Sequence, residues 1–367
     1  MLFLNNDRQE QTKNILFYVN GISQLENSYL IFKENPDIMF FVISVSNINM
    51  QDFYNSKLRF LKNLILNDNS VELIYKIEKF GMLITTVCSG AYCCRTGLQV
   101  ISICLNVGIP VVELQHGLFE YGLHYNVEPK CFETQYDFLD VDNFTDYLLS
   151  YYPVVSKKRD VTVIGFPKYY ATDIDIPSYT ANYVLILTNF NWDCFTSEDF
   201  NVFLGALLKV VTQNSEINFI WKPHPAEIQF FIDKRINLDF YPNITIAQLD
   251  NLTKLLTLDN LIKYADKVIS TISTVLLDCE AYNKDTAIFK SDANSELLTE
   301  LNNFYSFSSY EELSFFVKEK TKSKLQTGKL LKYNNSLFRK FILEKYHLPI
   351  KDNKKILQTI LEKQKII

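Results

Sequence analysis

Tyr183–Pro225 reads YVLILTNFNWDCFTSEDFNVFLGALLKVVTQNSEINFIWKPHP. Tyr183–Phe190 is a short, continuous apolar run, the mark of a strand buried on both faces. Phe200–Gln213 carries apolar residues at helical spacing. Ile217–Trp221 (INFIW) is a second apolar run. A strand, a helix and a strand in this space predict a parallel sheet with helices over its faces. The pattern continues downstream with strands at Ile244–Ala247, Lys267–Thr271 and Thr286–Lys290 (TAIFK), and a helix over Thr274–Asn283.

The first half follows the same logic. Asn14–Val19 (NILFYV), Phe40–Val45 (FFVISV), Met82–Val87 (MLITTV), Ile109–Leu114 (IPVVEL) and Val161–Phe166 read as strands. Gln51–Asn67, Val71–Phe80 and Gly90–Val107 carry helix-like spacing. A chain of 367 residues favours two domains at about 100–200 residues each. The joint falls near Pro167–Pro177. This gives an N-terminal unit over 1–170, a second over 171–335, and basic C-terminal helices over 336–367. No repeat of about 20–50 residues marks a solenoid.

Composition narrows the classes. Hydrophobic residues make up 47% and charged residues 22%, which excludes a largely disordered chain. Ten Gly and ten Pro exclude collagen-like and linker-rich architectures. The net charge of −5 is uneven: the stretch from Lys318 on carries 14 basic against 4 acidic side chains. A nucleic-acid binder is more often basic overall, so no nucleic acid is expected. A basic end on an acidic body fits either an anionic membrane surface or a solvated helical face. Seven cysteines without paired C-x-x-C spacing give no zinc site. The start MLFLNNDRQEQTK is not a secretory signal, and no apolar run reaches about 18 residues. The expectation is a cytoplasmic protein, peripheral at most on the inner face of the cytoplasmic membrane.

In open α/β sheets, ligands bind beyond the carboxyl ends of the strands. Three of the four histidines fall there. In Lys222-Pro-His-Pro225 two prolines fix φ around His224 and remove two backbone donors. The imidazole is held on a stiff loop with Lys222 beside it, suited to a phosphate or a ribose. Ser270-Thr-Ile-Ser-Thr-Val-Leu-Leu-Asp278 joins a strand to a helix, and its hydroxyls and helix start form a metal-free phosphate seat. There Ser273 and Thr274 face the ligand and Asp278 reaches toward a ribose. On the other half, Gln115-His-Gly117 puts His116 and Gln115 at the cleft, with Glu120 and His124 in the same loop and Ser89 and Arg95 after the preceding strand. His116 or Glu120 is placed to take a proton from an attacking hydroxyl. Asp140-Val-Asp142 and Asp173-Ile-Asp175 follow no convincing strand, so no metal is assigned.

Glu113-Leu-Gln-His-Gly117 with Val163-Ile-Gly-Phe-Pro167, Lys222-Pro-His-Pro225 and Ser270–Asn283 together resemble bacterial GT-B glycosyltransferases of surface polysaccharide (capsule, O-antigen and lipopolysaccharide) biosynthesis. The likeness covers about residues 80–290. Relatives include CMP-sugar transferases for Kdo and sialic acid, and teichoic-acid glycerophosphotransferases. The resemblance implies two Rossmann-like domains facing across a cleft, with C-terminal helices crossing back to the first. In sialyltransferase-like members a His-Pro motif and a Ser-Ser/Thr motif hold the donor nucleotide, and His224-Pro225 and Ser273-Thr274 match these in order. Many members have Glu-Ala and Gly-x-Pro where this chain has Asp278-Cys279 and Asn283-Lys284-Asp285.

The implied activity is sugar transfer from a nucleotide-activated donor, leaning toward a CMP-sugar, to a glycan or lipid-linked acceptor. No cofactor and no metal are expected. The second sheet takes the donor through Thr188, Asn189, Lys222, His224, Pro225, Ser273, Thr274 and Asp278. The first takes the acceptor near Ser89, Arg95, Gln115 and His124. The alternatives are a nucleotide-sugar 2-epimerase, with Glu113 and Glu120 as carboxylates, or a non-catalytic nucleotide- or glycan-binding subunit of a polysaccharide assembly complex.

Overall fold

The computed structural model describes residues 14–19, 21–44, 53, 56–66, 77–86, 95–115, 147–150, 160–170, 182–190, 195–233, 235–251, 253–294, 304–319 and 332–346. Two parallel sheets organise them. The first contains β1 (Asn14–Val19), β2 (Met39–Ser44), β3 (Leu64–Leu66), β4 (Met82–Thr85), β5 (Val111–Leu114), β6 (Tyr147–Ser150) and β7 (Asp160–Val163), in the order β3-β2-β1-β4-β5-β6-β7. The second contains β8 (Tyr183–Thr188), β9 (Asn218–Pro223), β10 (Ile244–Ile246), β11 (Lys267–Ser270), β12 (Asp285–Phe289) and β13 (Tyr305–Phe307), in the order β10-β9-β8-β11-β12-β13. Counted from its own first strand, the second sheet runs 3-2-1-4-5-6, the Rossmann order, and the first runs the same way with a seventh strand added after the sixth. The helices are α1 (Ile22–Asn27), α2 (Tyr29–Lys33), α3 (Arg95–Val107), α4 (Ser197–Gln213), α5 (Ile228–Ile232), α6 (Leu258–Tyr264), α7 (Val275–Ala281), α8 (Tyr310–Lys318) and α9 (Asn335–Tyr346).

The apolar runs explain the central strands. In β8 every residue is buried. Val184 and Ile186 pack with Phe203 and Trp221 on one face, while Tyr183, Leu185 and Leu187 pack with Leu261 and Cys279 on the other. In β1, Ile15, Phe17 and Val19 point one way and Leu16 and Tyr18 the other. Polar groups on either face of such a strand would be stranded away from water, so both faces are apolar.

The two halves also share a side-chain clasp. Asn63 Nδ2 donates to the carbonyls of Phe32, Asn35 and Ile38 at 2.9, 2.8 and 3.1 Å. Asn243 Nδ2 does the same with Val211, Asn214 and Ile217 at 3.1, 3.0 and 3.0 Å. In each half the strand after the clasped helix donates back, Phe40 N–H to Asn63 O and Phe219 N–H to Asn243 O, both at 2.8 Å. Each clasp adds a side-chain donor to the turn that leads from the helix end into the next strand, where backbone N–H groups already reach the carbonyls of Phe32, Asn35, Val211 and Asn214. The chain is thus a structural repeat of two Rossmann units, at a period far longer than a solenoid's.

Two expectations need correction. Gln51–Asn67 is not one helix. Ser56 Oγ accepts from Leu58 N–H at 3.2 Å and starts a single 3-10 turn, Lys57–Phe60. Leu64–Leu66 then joins β2 as a strand, because edge pairing and the Asn63 clasp outweigh helical spacing. Of Val71–Phe80, the described part is a 3-10 turn at Ile77–Lys79. The described helix within Gly90–Val107 begins at Arg95.

The C-terminal helix crosses back as the GT-B pattern implies. In α9, Phe338, Phe341 and Ile342 are buried in the core built around β1 and β2. Arg339 forms a bidentate pair with Asp37 at 2.8 and 2.7 Å. Asn335 Nδ2 donates to Glu34 O at 3.1 Å, and Asn334 N–H donates to Ile164 O at 2.8 Å. The expected second C-terminal helix, Asn353–Ile366, lies outside the described residues.

Candidate functional site

The strand order in each sheet reverses direction beside its first strand. In the second sheet β8 lies between β9 and β11. A crevice opens beyond the carboxyl ends at such a switch point, where α/β folds bind ligands. The residues that converge there come from three loops, which follow β8, β9 and β11.

Thr188 ends β8 and is buried. Its Oγ accepts from Trp221 Nε1 at 2.9 Å and donates to Glu227 Oε2 at 2.8 Å, so its hydroxyl is committed to the framework. Asn189 follows at the crevice. Its N–H donates to Thr271 Oγ1 at 2.9 Å, which joins the loops after β8 and β11. Its Oδ1 is shielded from solvent without a partner among the described residues. An acceptor in that state has lost water and gained nothing, so a ligand donor there relieves a real cost.

Lys222, Leu187 and Ser270 stand side by side across β9, β8 and β11. Lys222 is half-buried and has no acidic partner among the described residues. Burial pushes its ammonium below the usual lysine pKa. Next in the chain, Pro223 is buried and its carbonyl accepts from Gln248 Nε2 at 2.8 Å. His224 is exposed. Its N–H reaches Thr188 O at 2.9 Å and Glu227 Oε2 at 3.0 Å. Pro225 starts a 3-10 turn ending at Glu227.

The His224 ring has a defined polarity. Nδ1 accepts from Ala226 N–H at 3.2 Å, so in the neutral ring Nε2 carries the proton and donates. Partial burial lowers the His224 pKa first, Glu227 opposes this, and Lys222 adds to it. At neutral pH His224 therefore offers a fixed N–H donor beside the Lys222 ammonium.

Ser273 and Thr274 are half-buried at the start of α7. Ser273 Oγ lies 3.5 Å from Val275 N, a weak cap, and Thr274 makes no side-chain cap. The helix has seven residues. Two hydroxyls, more than a long helix dipole, are what this strand end offers.

Asp278 is engaged elsewhere. Its Oδ1 is 2.8 Å from Lys168 Nζ and accepts from Tyr170 OH at 2.8 Å. Lys168 also pairs with Asp259 in α6 at 3.0 Å. The segment that leaves the first sheet is thus pinned to two helices of the second. Burial works against the Lys168 charge, but Asp278 and Asp259 outweigh it and hold the ammonium above the usual lysine pKa. Apolar contacts complete the joint, since Phe166 and Tyr170 pack in one core with Ile272, Leu276 and Leu277. The ribose role expected for Asp278 competes with this ion pair.

On the first sheet, Gln115 follows β5, is buried, and donates its N–H to Leu149 O at 3.0 Å. Glu113 is fully buried within β5. Arg95 is the first residue of α3. His116, Glu120, Ser89 and His124 lie outside the described residues, as do Asp140, Asp142, Asp173 and Asp175. Among the described residues no group of three His, Cys, Asp or Glu is arranged to hold a metal ion.

Two contributors were absent from the expected set, Glu227 and Lys168. Glu227 had a legible signal, an acid three residues after His224 at the third position of a turn. Lys168 had none, because its partner lies 110 residues away.

No family model matches the chain, and no curated protein matches it. Its fold does match solved structures. S. aureus MnaA, as a co-structure with UDP, superposes with a TM-score of 0.62 at 11% identity, over 92% of this chain and 99% of that one. The UDP-GlcNAc 2-epimerase of Methanocaldococcus jannaschii in complex with UDP-GlcNAc and UDP gives 0.56 at 13%, over 91% and 99%. The glycotransferase of kitacinnamycin gives 0.53 at 11%, over 95% and 98%. At these identities the likeness shows the fold, the GT-B pairing of two parallel α/β units.

Proposed function

We propose that the chain is an enzyme acting on a nucleotide-activated sugar, which it binds at the carboxyl edge of the second sheet, and that it transfers the sugar to a glycan or lipid-linked acceptor. One observation carries the reading. A half-buried ammonium without an acidic partner among the described residues (Lys222), a fixed N–H donor (His224) and a shielded acceptor without a partner among them (Asn189) meet at one switch point. The first two suit a phosphate and the third a ribose or base donor. Ser273 and Thr274 add hydroxyls from β11.

In transfer, the bond from the anomeric carbon to the phosphate oxygen breaks while an acceptor hydroxyl attacks that carbon. Lys222 and His224 meet the negative charge growing on the departing phosphate. The acceptor proton goes to a base on the first-sheet side, with His116 and Glu120 the candidates.

Epimerisation at C2 of a nucleotide sugar is the second reading. It is favoured by the fold neighbours whose structures hold UDP or UDP-GlcNAc. Those ligands also make UDP as strong a candidate as the CMP suggested by the His-Pro and Ser-Thr pairing.

Melting the purified full-length chain with CMP, CDP, UDP and GDP identifies the nucleotide. A ligand at one hundred times its Kd adds about 2.7 kcal/mol of stability, so the preferred one gives the largest shift. The matching sugar nucleotides, incubated without acceptor, then separate the activities. A C2-inverted sugar nucleotide identifies an epimerase. Free nucleotide and hydrolysed sugar identify a transferase active site. No shift and no turnover with any donor refute both readings.

The basic stretch after Lys318 supports a further part of the proposal, attraction to an anionic membrane that carries a lipid-linked acceptor. Each basic residue near such a surface is worth about 1 kcal/mol. Lys351, Lys354 and Lys355 replaced together by Gln are expected to weaken sedimentation with anionic vesicles and leave turnover on a soluble acceptor unchanged. Wild-type binding should vanish at high salt. Equal partitioning onto neutral and anionic vesicles contradicts it.

A further inference from the structure

We infer that Glu227 is a positioning residue: its buried carboxylate clamps the loop after β8 to the loop after β9 and so sets where His224 presents its Nε2. This rests on the reading that the crevice holds the nucleotide, and goes beyond it by naming what aims the donor group.

The geometry is specific. Glu227 is 3% exposed, and both of its oxygens are used. Oε1 accepts from Phe190 N–H in a short contact. Oε2 accepts from the Thr188 hydroxyl at 2.8 Å and from His224 N–H at 3.0 Å. The Thr188 hydroxyl has one hydrogen, and Trp221 Nε1 already donates to that oxygen, so the hydrogen must go to Glu227. A chain of donors therefore runs from Trp221 through Thr188 to one carboxylate, and the backbones of Phe190 and His224 converge on it.

Two consequences follow. Asn189, whose Oδ1 has no partner among the described residues, is held between two residues that the clamp fixes, Thr188 and Phe190. His224 has its backbone fixed by Glu227 and its Nδ1 fixed by Ala226 N–H, so Nε2 is left as its outward donor. Without the carboxylate, the Thr188 hydroxyl and the Phe190 N–H would lose their acceptor, and the two loops would be held here by the His224 N–H to Thr188 O bond alone.

Glutamine cannot replace this carboxylate. In either orientation its NH2 meets a donor, the Phe190 N–H on one side or the Thr188 and His224 pair on the other. Glu227→Gln keeps the volume and removes the charge. Expected results are a drop in affinity for UDP and CMP of about tenfold or more, and a change at His224 before any ligand is added. The described charged groups acting on His224 are Glu227 and Lys222. Loss of the Glu227 charge leaves burial and Lys222 unopposed, so the His224 titration midpoint should fall.

The chain has only four histidines, so ring signals from a histidine-labelled sample can be followed singly through a pH titration. The His224 signal is identified by its absence in His224→Gln. A downward move of His224 alone, with weaker nucleotide binding, supports the inference. A folded Glu227→Gln in which the His224 midpoint and the UDP and CMP affinities all match wild type overturns it. Should that variant fail to fold, Thr188→Val loosens the same carboxylate without removing its charge. Folded Thr188→Val with wild-type affinity then overturns the clamp, and weakened affinity supports it. A wild-type chain that binds no nucleotide, with the His224 midpoint still falling in Glu227→Gln, refutes the nucleotide reading and leaves the clamp standing.

Discussion

Replacing His224 with alanine is expected to weaken nucleotide binding by about 10- to 150-fold. That range corresponds to roughly 1.5–3 kcal/mol, the value of a hydrogen bond to a charged group. The fold should persist. The imidazole is exposed, and Pro223 and Pro225 still restrict the loop. Atom-level variants sharpen the test. Glutamine can place an amide N–H near the Nε2 position, whereas asparagine more nearly reproduces Nδ1. His224→Gln should therefore retain more affinity than His224→Asn. Calorimetric titration of the three variants reads this directly. Wild-type affinity in His224→Ala, or asparagine outperforming glutamine, removes His224 Nε2 from the site.

The second large effect is on stability. Lys168→Met should destabilise the chain by about 3–5 kcal/mol, because removing one partner of a buried ion pair strands the other. Here two carboxylates are stranded, and the Asp278 side chain is only 7% exposed. Lys168→Arg keeps the charge and should lose less. Urea denaturation of the three proteins gives the comparison. A loss in Lys168→Met below about 1 kcal/mol would place the pair among the weak surface type. The pH dependence has a definite sign. The Lys168 pKa is raised by folding, so its contribution is fully present below the ordinary lysine pKa. It is lost only as pH rises through the folded value. Neutral-pH stability should therefore not depend on the protonation of this group.

The sequence disclosed the fold where burial is continuous. β1, β8, β9, β11 and β12 are apolar runs whose type and place could be read from period alone. β3, β6 and β13 have three or four residues each and borrow their structure from a neighbour, so no local period marks them. α8 had a readable start, Ser309 with Glu312 three residues on, and both arms of that capping box form. The Asn63 and Asn243 clasps were invisible, because their meaning lies in carbonyls from other elements.

The site divides along the same physical line. His224 was legible because two prolines stiffen its loop locally. Glu227 sits in that same turn, yet its role depends on Thr188 and Phe190 from a different strand end. Asp278 was assigned from its distance to Ser273 along one helix. Its actual partners are Lys168 and Tyr170, across the joint between the two sheets. Sequence spacing reports neighbours on one element and is silent about the element packed against it.

The most direct measurement is a structure of the full-length chain determined with the nucleotide that most raises its melting temperature. The account predicts a phosphate oxygen within hydrogen-bond distance of His224 Nε2, with Lys222 beside the phosphates and a ligand donor on Asn189 Oδ1. A nucleotide bound at the carboxyl edge of the first sheet, or one bound with His224 and Lys222 both untouched, would contradict it.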